Sequence, residues 1–162
     1  MSTKEIVVGL NGSAAAAKAL HWAVDESLLR GAPLRIVHTW ELVTGEAMVA
    51  ARELRESSAA QAREQATRWV TSVLVTDELP GELDIVEGPP GPVLVARSQH
   101  AAMLVVGTQE HHGMRRLLAG SISHYCLSHA TCPVVAIPGP AKPQRHFPHP
   151  RHTEVSSPGP IL

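Results

Sequence analysis

Two segments of the chain combine glycine with polar side chains in a pattern suited to binding an anion. An Asn-Gly-Ser triplet at 11–13 follows a short apolar run, and Gly120 with Ser121 opens a later helical segment that also carries Ser123. Glycine lets a backbone approach a phosphate closely, and the free N–H groups of a helix N-terminus attract negative charge. The same pattern is typical of an ordinary helix N-cap, so these residues alone leave both roles open.

Short apolar runs alternate with helical patterns along the chain, and these elements must position the polar segments. The predicted strands are Ile6–Leu10, Leu34–Trp40, Leu83–Glu87, Met103–Val106 and Pro133–Ile137. The predicted helices run from Ser13 as N-cap to a stop at Gly31, over about 46–74, over 93–100 after a rigid turn at 88–92, and over 121–129. Strand-helix-strand units of this length close as right-handed parallel crossovers, so the sequence predicts an α/β fold with a parallel sheet.

In an open parallel sheet, ligands bind at the carboxyl ends of strands where the winding direction reverses. The ends of the first and fourth strands are therefore the candidate site, and both are followed by small residues. Helical spacing also predicts which side chains face the sheet. These are Ala16, Ala19, Leu20, Ala23, Val24 and Leu28 in the first helix and Val93 and Ala96 in the third, while Trp69, Val70, Val73 and Leu74 are predicted to anchor the end of the second.

Composition limits the function classes. The chain of 162 residues is the size of one domain, and its net charge of −1 with 3% aromatic residues disfavours a dedicated nucleic-acid binder. Cys126 and Cys132 are the only cysteines and lack the C-x-x-C spacing of redox or zinc sites. With neither a signal-peptide core nor a membrane-spanning stretch in the sequence, we expect a cytoplasmic protein with no membrane partner.

Sequence patterns for metal binding or nucleophilic catalysis are lacking. His124 and His129 are five apart, a spacing that does not place two ligands side by side on a helix. Cys126 lies between apolar neighbours and is interpreted as core packing. Residues 139–162 are rich in proline and histidine and are predicted to form a disordered or polyproline-like tail after a domain over 1–138. We therefore predict no metal site and no enzyme.

Several motifs together resemble the universal stress protein family. They lie at 6–13, 19–23, 34–38, 104–107, 117–123 and 132–135, and the likeness covers residues 4–138. The resemblance implies an adenine-nucleotide α-hydrolase-like fold, an open five-stranded parallel sheet in the order 3-2-1-4-5 with helices on both faces. It also implies homodimerisation partly through the last strand, Pro133 to Ile137. In one branch of the family, ATP is bound across strands one, two and four.

That ATP-binding branch carries the motif Gly-x2-Gly-x9-Gly-Ser/Thr, which this sequence matches only in part. Gly107 is the first glycine and Gly120 with Ser121 is the last pair, but Glu110 replaces the second glycine. A carboxylate 4 Å from one phosphate charge costs about 1 kcal/mol in water and several-fold more where solvent is excluded. Asn11 stands where nucleotide-binding members usually carry an aspartate, which weakens Mg²⁺ coordination.

The resemblance assigns the ligand contacts residue by residue. Gly107, Gly120, Ser121, Ile122 and Ser123 would hold phosphates, and Leu10, Asn11 and Thr39 would hold ribose and base. His111, His112, Arg115 and Arg116 form a basic rim that either offsets Glu110 or pairs with it.

Three functions follow as alternatives. The first is a dimeric regulatory module of the stress response that binds ATP, with or without Mg²⁺. The second is a nucleotide-free dimeric scaffold of the same fold, because Glu110 and Asn11 both depart from the motif. The third is a nucleotide-using enzyme of related architecture, although the chain lacks the Ser-Gly-Gly-x-Asp-Ser phosphate loop of such enzymes.

Overall fold

The structure, a computed structural model, describes residues 3–41, 51–108 and 121–140. The elements in these residues are β1 (Ile6–Leu10), α1 (Ala14–Arg30), β2 (Leu34–Trp40), α2 (Ala51–Leu74), β3 (Glu82–Glu87), α3 (Pro90–Arg97), β4 (Met103–Thr108), α4 (Ser121–His129) and β5 (Val134–Pro138). The strands form one parallel sheet in the order β3-β2-β1-β4-β5, which confirms the predicted topology. No helix among these elements has the length and apolarity needed to cross a membrane.

The central strand β1 is buried along its whole length because helices cover both faces of the sheet. Ile6, Val8 and Leu10 belong to the core under α1 and α2, whereas Val7 belongs to the core under α3 and α4. This alternation is the two-residue period of a strand, and the parallel register extends it to the neighbouring strands. A continuous apolar run is therefore the pattern expected of a strand buried on both sides.

Helix α1 begins and ends as predicted. The Ser13 hydroxyl accepts the Ala16 N–H at 3.1 Å, and the Asn11 side-chain oxygen accepts the Ser13 N–H at 3.1 Å. At the other end Gly31 adopts a left-handed conformation with φ of 57°, and its N–H donates to the Leu28 carbonyl at 3.3 Å.

The predicted inner face of α1 is wrong at its last residue. Leu28 is 76% exposed, and the buried residue of that turn is Ser27. The Ser27 hydroxyl donates to the Val24 carbonyl at 2.8 Å, which satisfies its polar group inside the core. Leu28 lies five residues after Ala23, and a helix turns by 100° per residue, so that spacing carries it away from the sheet.

The predicted bounds of α3 are also wrong. The helix begins at Pro90 rather than at Val93, because a proline has no N–H to leave unpaired and is favoured in the first turn. The inner face also differs from the prediction, because packing on the sheet buries Leu94 and leaves Ala96 exposed. Other strand ends differ from the prediction by one or two residues. The predicted start of α2 at 46 and most of the tail lie outside the described residues.

Charged side chains tie β2, β3 and α3 together. The Arg35 guanidinium donates to Glu5 at 2.9 Å and lies 3.7 Å from the Asp84 carboxylate. The hydrogen bond that Arg35 donates to Glu5, together with the nearby carboxylates, raises the pKa of Arg35. Asp84 also pairs with Arg97 at 3.3 Å, so the last turn of α3 is anchored to β3.

Gly107 is the point at which α1 packs most closely on β4. A Cβ atom added there would lie 2.6 Å from the carbonyl carbon of Ala15 and 2.7 Å from the amide nitrogen of Ala16. These are backbone atoms of the first turn of α1, which cannot rotate away as a side chain can. The glycine therefore has a packing role that does not depend on any ligand.

We expect Gly107→Ala to lower the free energy of unfolding by about 1–3 kcal/mol, since the added methyl overpacks this contact. Urea unfolding followed by circular dichroism measures the change. Gly139→Ala is the matched control, because its methyl would lie at an ordinary 3.4 Å from the Cβ of Ala15. Equal unfolding midpoints for the two variants would contradict the packing role of Gly107.

Candidate ligand site at the carboxyl edge of the sheet

A cavity of about 250 Å³ lies at the carboxyl ends of β1, β2 and β4, between the first turn of α1 and the start of α3 and α4. Its walls are Gly9, Leu10, Asn11, Ala16, Val37, His38, Thr39, Pro90, Leu94, Val106, Gly107 and Ile122. This is the edge at which the sequence predicts a site, because the winding direction of the sheet reverses between β1 and β4.

The alternation of β2 decides which side chains face the cavity. Ile36 belongs to the core under α1 and α2, and Val37 belongs to the core under α3 and α4. Thr39 follows two residues after Val37, so its hydroxyl lies on the α3 and α4 side, where the cavity is. Leu10 packs in the opposite core and is 7% exposed, so it contributes backbone rather than side chain to the cavity.

Asn11 holds the turn between β1 and α1 as well as lining the cavity. Its side-chain oxygen accepts the Ser13 N–H, so the carboxamide nitrogen is the group left to donate outward. This geometry orders the first turn of α1 and gives the cavity one neutral donor. It gives no carboxylate at this position to ligate a metal ion.

Five of the eight residues predicted for the site line the cavity: Leu10, Asn11, Thr39, Gly107 and Ile122. Two residues of α4 do not line it, since Ser121 is exposed at the helix start and Ser123 is buried at 1% exposure. Gly120, Glu110 and the predicted basic rim lie outside the described residues.

Sequence reasoning missed the apolar walls of the cavity. Pro90 and Leu94 were missed because α3 begins three residues earlier than predicted and turns a different face inward. Val37 and Val106 resemble any core valine in the sequence. The one feature of the sequence that could have indicated their role is their position near the carboxyl ends of the strands that flank β1.

The described walls are mostly apolar, with the Thr39 hydroxyl and the Asn11 amide as their polar side-chain groups; His38 also lines the cavity, but the alternation of β2 turns its side chain to the opposite face. Such a lining suits a flat, uncharged group with a few hydrogen-bonding atoms.

Cys126 packs in the core under α3 and α4, and burial raises the pKa of its thiol to about 11, so it is no nucleophile near neutral pH. The described residues contain no cluster of three or more metal-ligating side chains.

Comparison with known proteins identifies the family of this chain. The model of the universal stress protein family matches residues 2–138. Universal stress protein Rv3134c from Mycobacterium tuberculosis is 37% identical over 144 residues, which cover 86% of this chain and 51% of that protein. The chain thus spans about half the length of the curated relatives it matches.

Solved structures show the same fold at lower identity. Universal stress protein UspA from Lactobacillus plantarum has a TM-score of 0.63 at 22% identity and covers 85% of this chain and 99% of that one. The universal stress protein from Archaeoglobus fulgidus in complex with dAMP has a TM-score of 0.57 at 22% identity, with coverage of 85% and 99%. By its sequence and its sheet order together, this chain belongs to the universal stress protein family.

Proposed function

We propose that this chain is an adenine-nucleotide-binding regulatory module that acts as a homodimer in the stress response and is not an enzyme. Residues 1–138 form the domain and 139–162 a tail, and the working compartment is the cytoplasm. ATP is the proposed ligand, bound across the carboxyl ends of β1, β2 and β4.

One observation carries the nucleotide proposal: five residues named from sequence motifs at 10–11, 39, 107 and 122 line a single cavity. Its apolar walls suit the faces of a purine, while Thr39 and Asn11 offer hydrogen bonds to its edge or to ribose. The complex of the Archaeoglobus fulgidus relative with dAMP supports the same ligand class.

The phosphates would extend toward Gly120, Ser121 and Ser123 at the start of α4. No carboxylate is among the described wall residues, so we propose that any Mg²⁺ is carried by the phosphates rather than by the protein. The lack of a carboxylate among the described wall residues also supports a binding role over hydrolysis, because a general base would be needed to orient an attacking water.

The direct test is to purify the protein without added nucleotide, denature it and identify any released small molecule by chromatography and mass spectrometry. We expect ATP, ADP or AMP at near-stoichiometric amounts, or a dissociation constant for ATP below the millimolar range when the purified protein is titrated by calorimetry. An empty protein that also shows no thermal shift with millimolar Mg-ATP would contradict the proposal.

The matched variant for this test is Thr39→Val, which keeps the side-chain shape and removes the hydroxyl. We expect about fivefold weaker binding, since a hydrogen bond to the ligand is worth about 1 kcal/mol. Unchanged affinity would remove Thr39 from the site without affecting the family assignment.

Glu110 gives a second prediction, taken from the sequence alone. We expect Glu110→Gly to raise the affinity for ATP about five- to tenfold, because a carboxylate near the phosphates costs about 1 kcal/mol or more. Glu110→Gln separates charge from bulk, since it removes only the charge. If neither variant binds ATP better than the wild type, the loop glycine of the motif does not control binding in this chain.

A nucleotide-free scaffold is the second candidate, and two observations favour it. Gly107 is required by the packing of α1 on β4, and the side-chain oxygen of Asn11 is used in the turn that starts α1. Both motif residues therefore have a structural reason to be present. The ligand-release test distinguishes the two candidates.

The proposed dimer rests on the difference between the two edges of the sheet. Edge strand β3 carries three acidic residues, and its Leu83 carbonyl accepts a hydrogen bond from Arg63 at 3.2 Å. Edge strand β5 instead has four consecutive half-buried apolar residues, Val134–Ile137, and no charge. Charged side chains on an edge strand disfavour its pairing with a strand of another chain. The uncharged strand β5 is therefore the edge suited to pairing with a second copy.

The outward-facing groups of β5 can be identified from its ladder with β4. Leu104 donates its N–H to the Pro133 carbonyl at 2.9 Å, and Gly139 donates to the Thr108 carbonyl at 3.1 Å. Because N–H directions alternate along a strand, Val134 and Ala136 point theirs away from the sheet. The next outward position is Pro138, which has no N–H, so the open edge is short.

We expect Ala136→Pro to convert the dimer to a monomer, because it removes an outward N–H without touching the β4 ladder. Analytical ultracentrifugation measures the mass, and Ala136→Ser, which keeps the N–H, is the control. Thermal unfolding at low concentration should change little. A wild type that is monomeric at high concentration, or a proline variant that stays dimeric, would contradict the β5 interface.

A further inference from the structure

We propose that Leu94 is a specificity-determining residue, which limits the cavity to a flat purine without additional bulk on its base. The inference rests on the proposed function, since it concerns the same cavity and names the ligands that this cavity would reject.

The position of Leu94 depends on the missing side chain of Gly9. Leu94 is 4% exposed and lines the cavity from α3, while Gly9 lines it from the middle of the sheet. A Cβ atom on Gly9 would lie 2.8 and 3.0 Å from the two methyl carbons of Leu94. The leucine methyl groups therefore occupy the notch that a larger residue on β1 would fill, and their surface forms the floor of the cavity.

The helix that carries Leu94 is fixed on both sides, so this floor cannot easily withdraw. A Cβ atom on Gly91 would lie 2.8 Å from a ring carbon of Tyr125, which means that α3 and α4 are in close contact. Arg97 at the end of α3 is paired with Asp84 of β3 at 3.3 Å. With the helix held at these points, the volume of the Leu94 side chain determines the depth of the cavity.

The consequence is a limit on ligand size. Val37 and Val106 lie on the same face of the sheet, so the base would meet branched apolar groups around a floor of fixed height. An adenine ring fits such a space by its flat faces, whereas an additional fused ring or a halogen on the base would meet the leucine methyl groups. Differences of this size in an apolar pocket change affinity by about 10- to 200-fold.

The experiment compares three probes by calorimetry: AMP, ethenoadenosine monophosphate, whose base carries a further fused ring, and bromoadenosine monophosphate. We expect the wild type to bind at least one of the two larger probes about tenfold or more weakly than AMP, and Leu94→Ala to bring that ratio within about threefold. Val93→Ala is the matched control, because Val93 packs in the same core but does not line the cavity. Its ratio should equal that of the wild type.

Gly9→Ala tests the same contact from the other side. The added methyl would displace the Leu94 methyl groups into the cavity, so we expect AMP binding to weaken about tenfold, and the double variant Gly9→Ala/Leu94→Ala to regain most of it. Where Leu94→Ala does not fold by circular dichroism, Leu94→Val carries the comparison with a smaller change in volume.

The outcomes separate the inference from the function on which it rests. A wild type that binds neither Mg-ATP nor any of the three probes overturns the proposed function and the inference together, and one that binds Mg-ATP but not AMP overturns the inference alone. A wild type that binds AMP and both larger probes equally well overturns the inference alone. The same holds if AMP binds but Leu94→Ala leaves the ratios unchanged, or if the double variant regains none of the AMP affinity that Gly9→Ala loses.

Discussion

The close approach of α1 to β4 at Gly107 is the constraint on which the rest of the structure depends. With no side chain there, the backbone at Ala15 and Ala16 lies against the strand, and the first turn of α1 comes to the carboxyl edge of the sheet. The cavity has this turn as one wall and lies at the ends of β1, β2 and β4. A bulkier residue at 107 would move the wall, and with it the site.

The surface of Leu94 that forms the floor of the cavity depends on the same kind of close contact. Gly9 admits Leu94, and Gly91 admits Tyr125, so α3 lies close to the sheet and α4 lies close to α3. Close packing of this kind leaves little freedom for side chains to adapt, and cavity shape becomes a property of the helices rather than of single residues. Glycine in this chain therefore acts mainly through the space it leaves for neighbouring elements.

The hydrophobic cores on the two faces of the sheet differ in size and in their relation to the cavity. The core under α1 and α2 is the larger and holds Leu10, which would otherwise be taken for a side-chain contact of the ligand. The core under α3 and α4 is smaller and opens into the cavity. The edges differ too: β3 is protected by charge and by Arg63, while β5 keeps an apolar surface. The proposed ligand site and the proposed assembly surface thus occupy separate parts of one small fold.

The amino-acid sequence by itself determined the order and type of the elements, because continuous apolar runs, the Ser13 and Gly31 caps and alternating strand and helix patterns are local signals. It also located the carboxyl edge and five of its lining residues through motifs. Only the tertiary structure decided the start and the inner face of α3. Pro90 and Pro92 indicate a turn in the sequence but lie in the first turn of this helix, and packing on the sheet brings Leu94 rather than Ala96 inward. The packing role of Gly107 was equally invisible, because a contact between segments ninety positions apart in the chain leaves no local pattern.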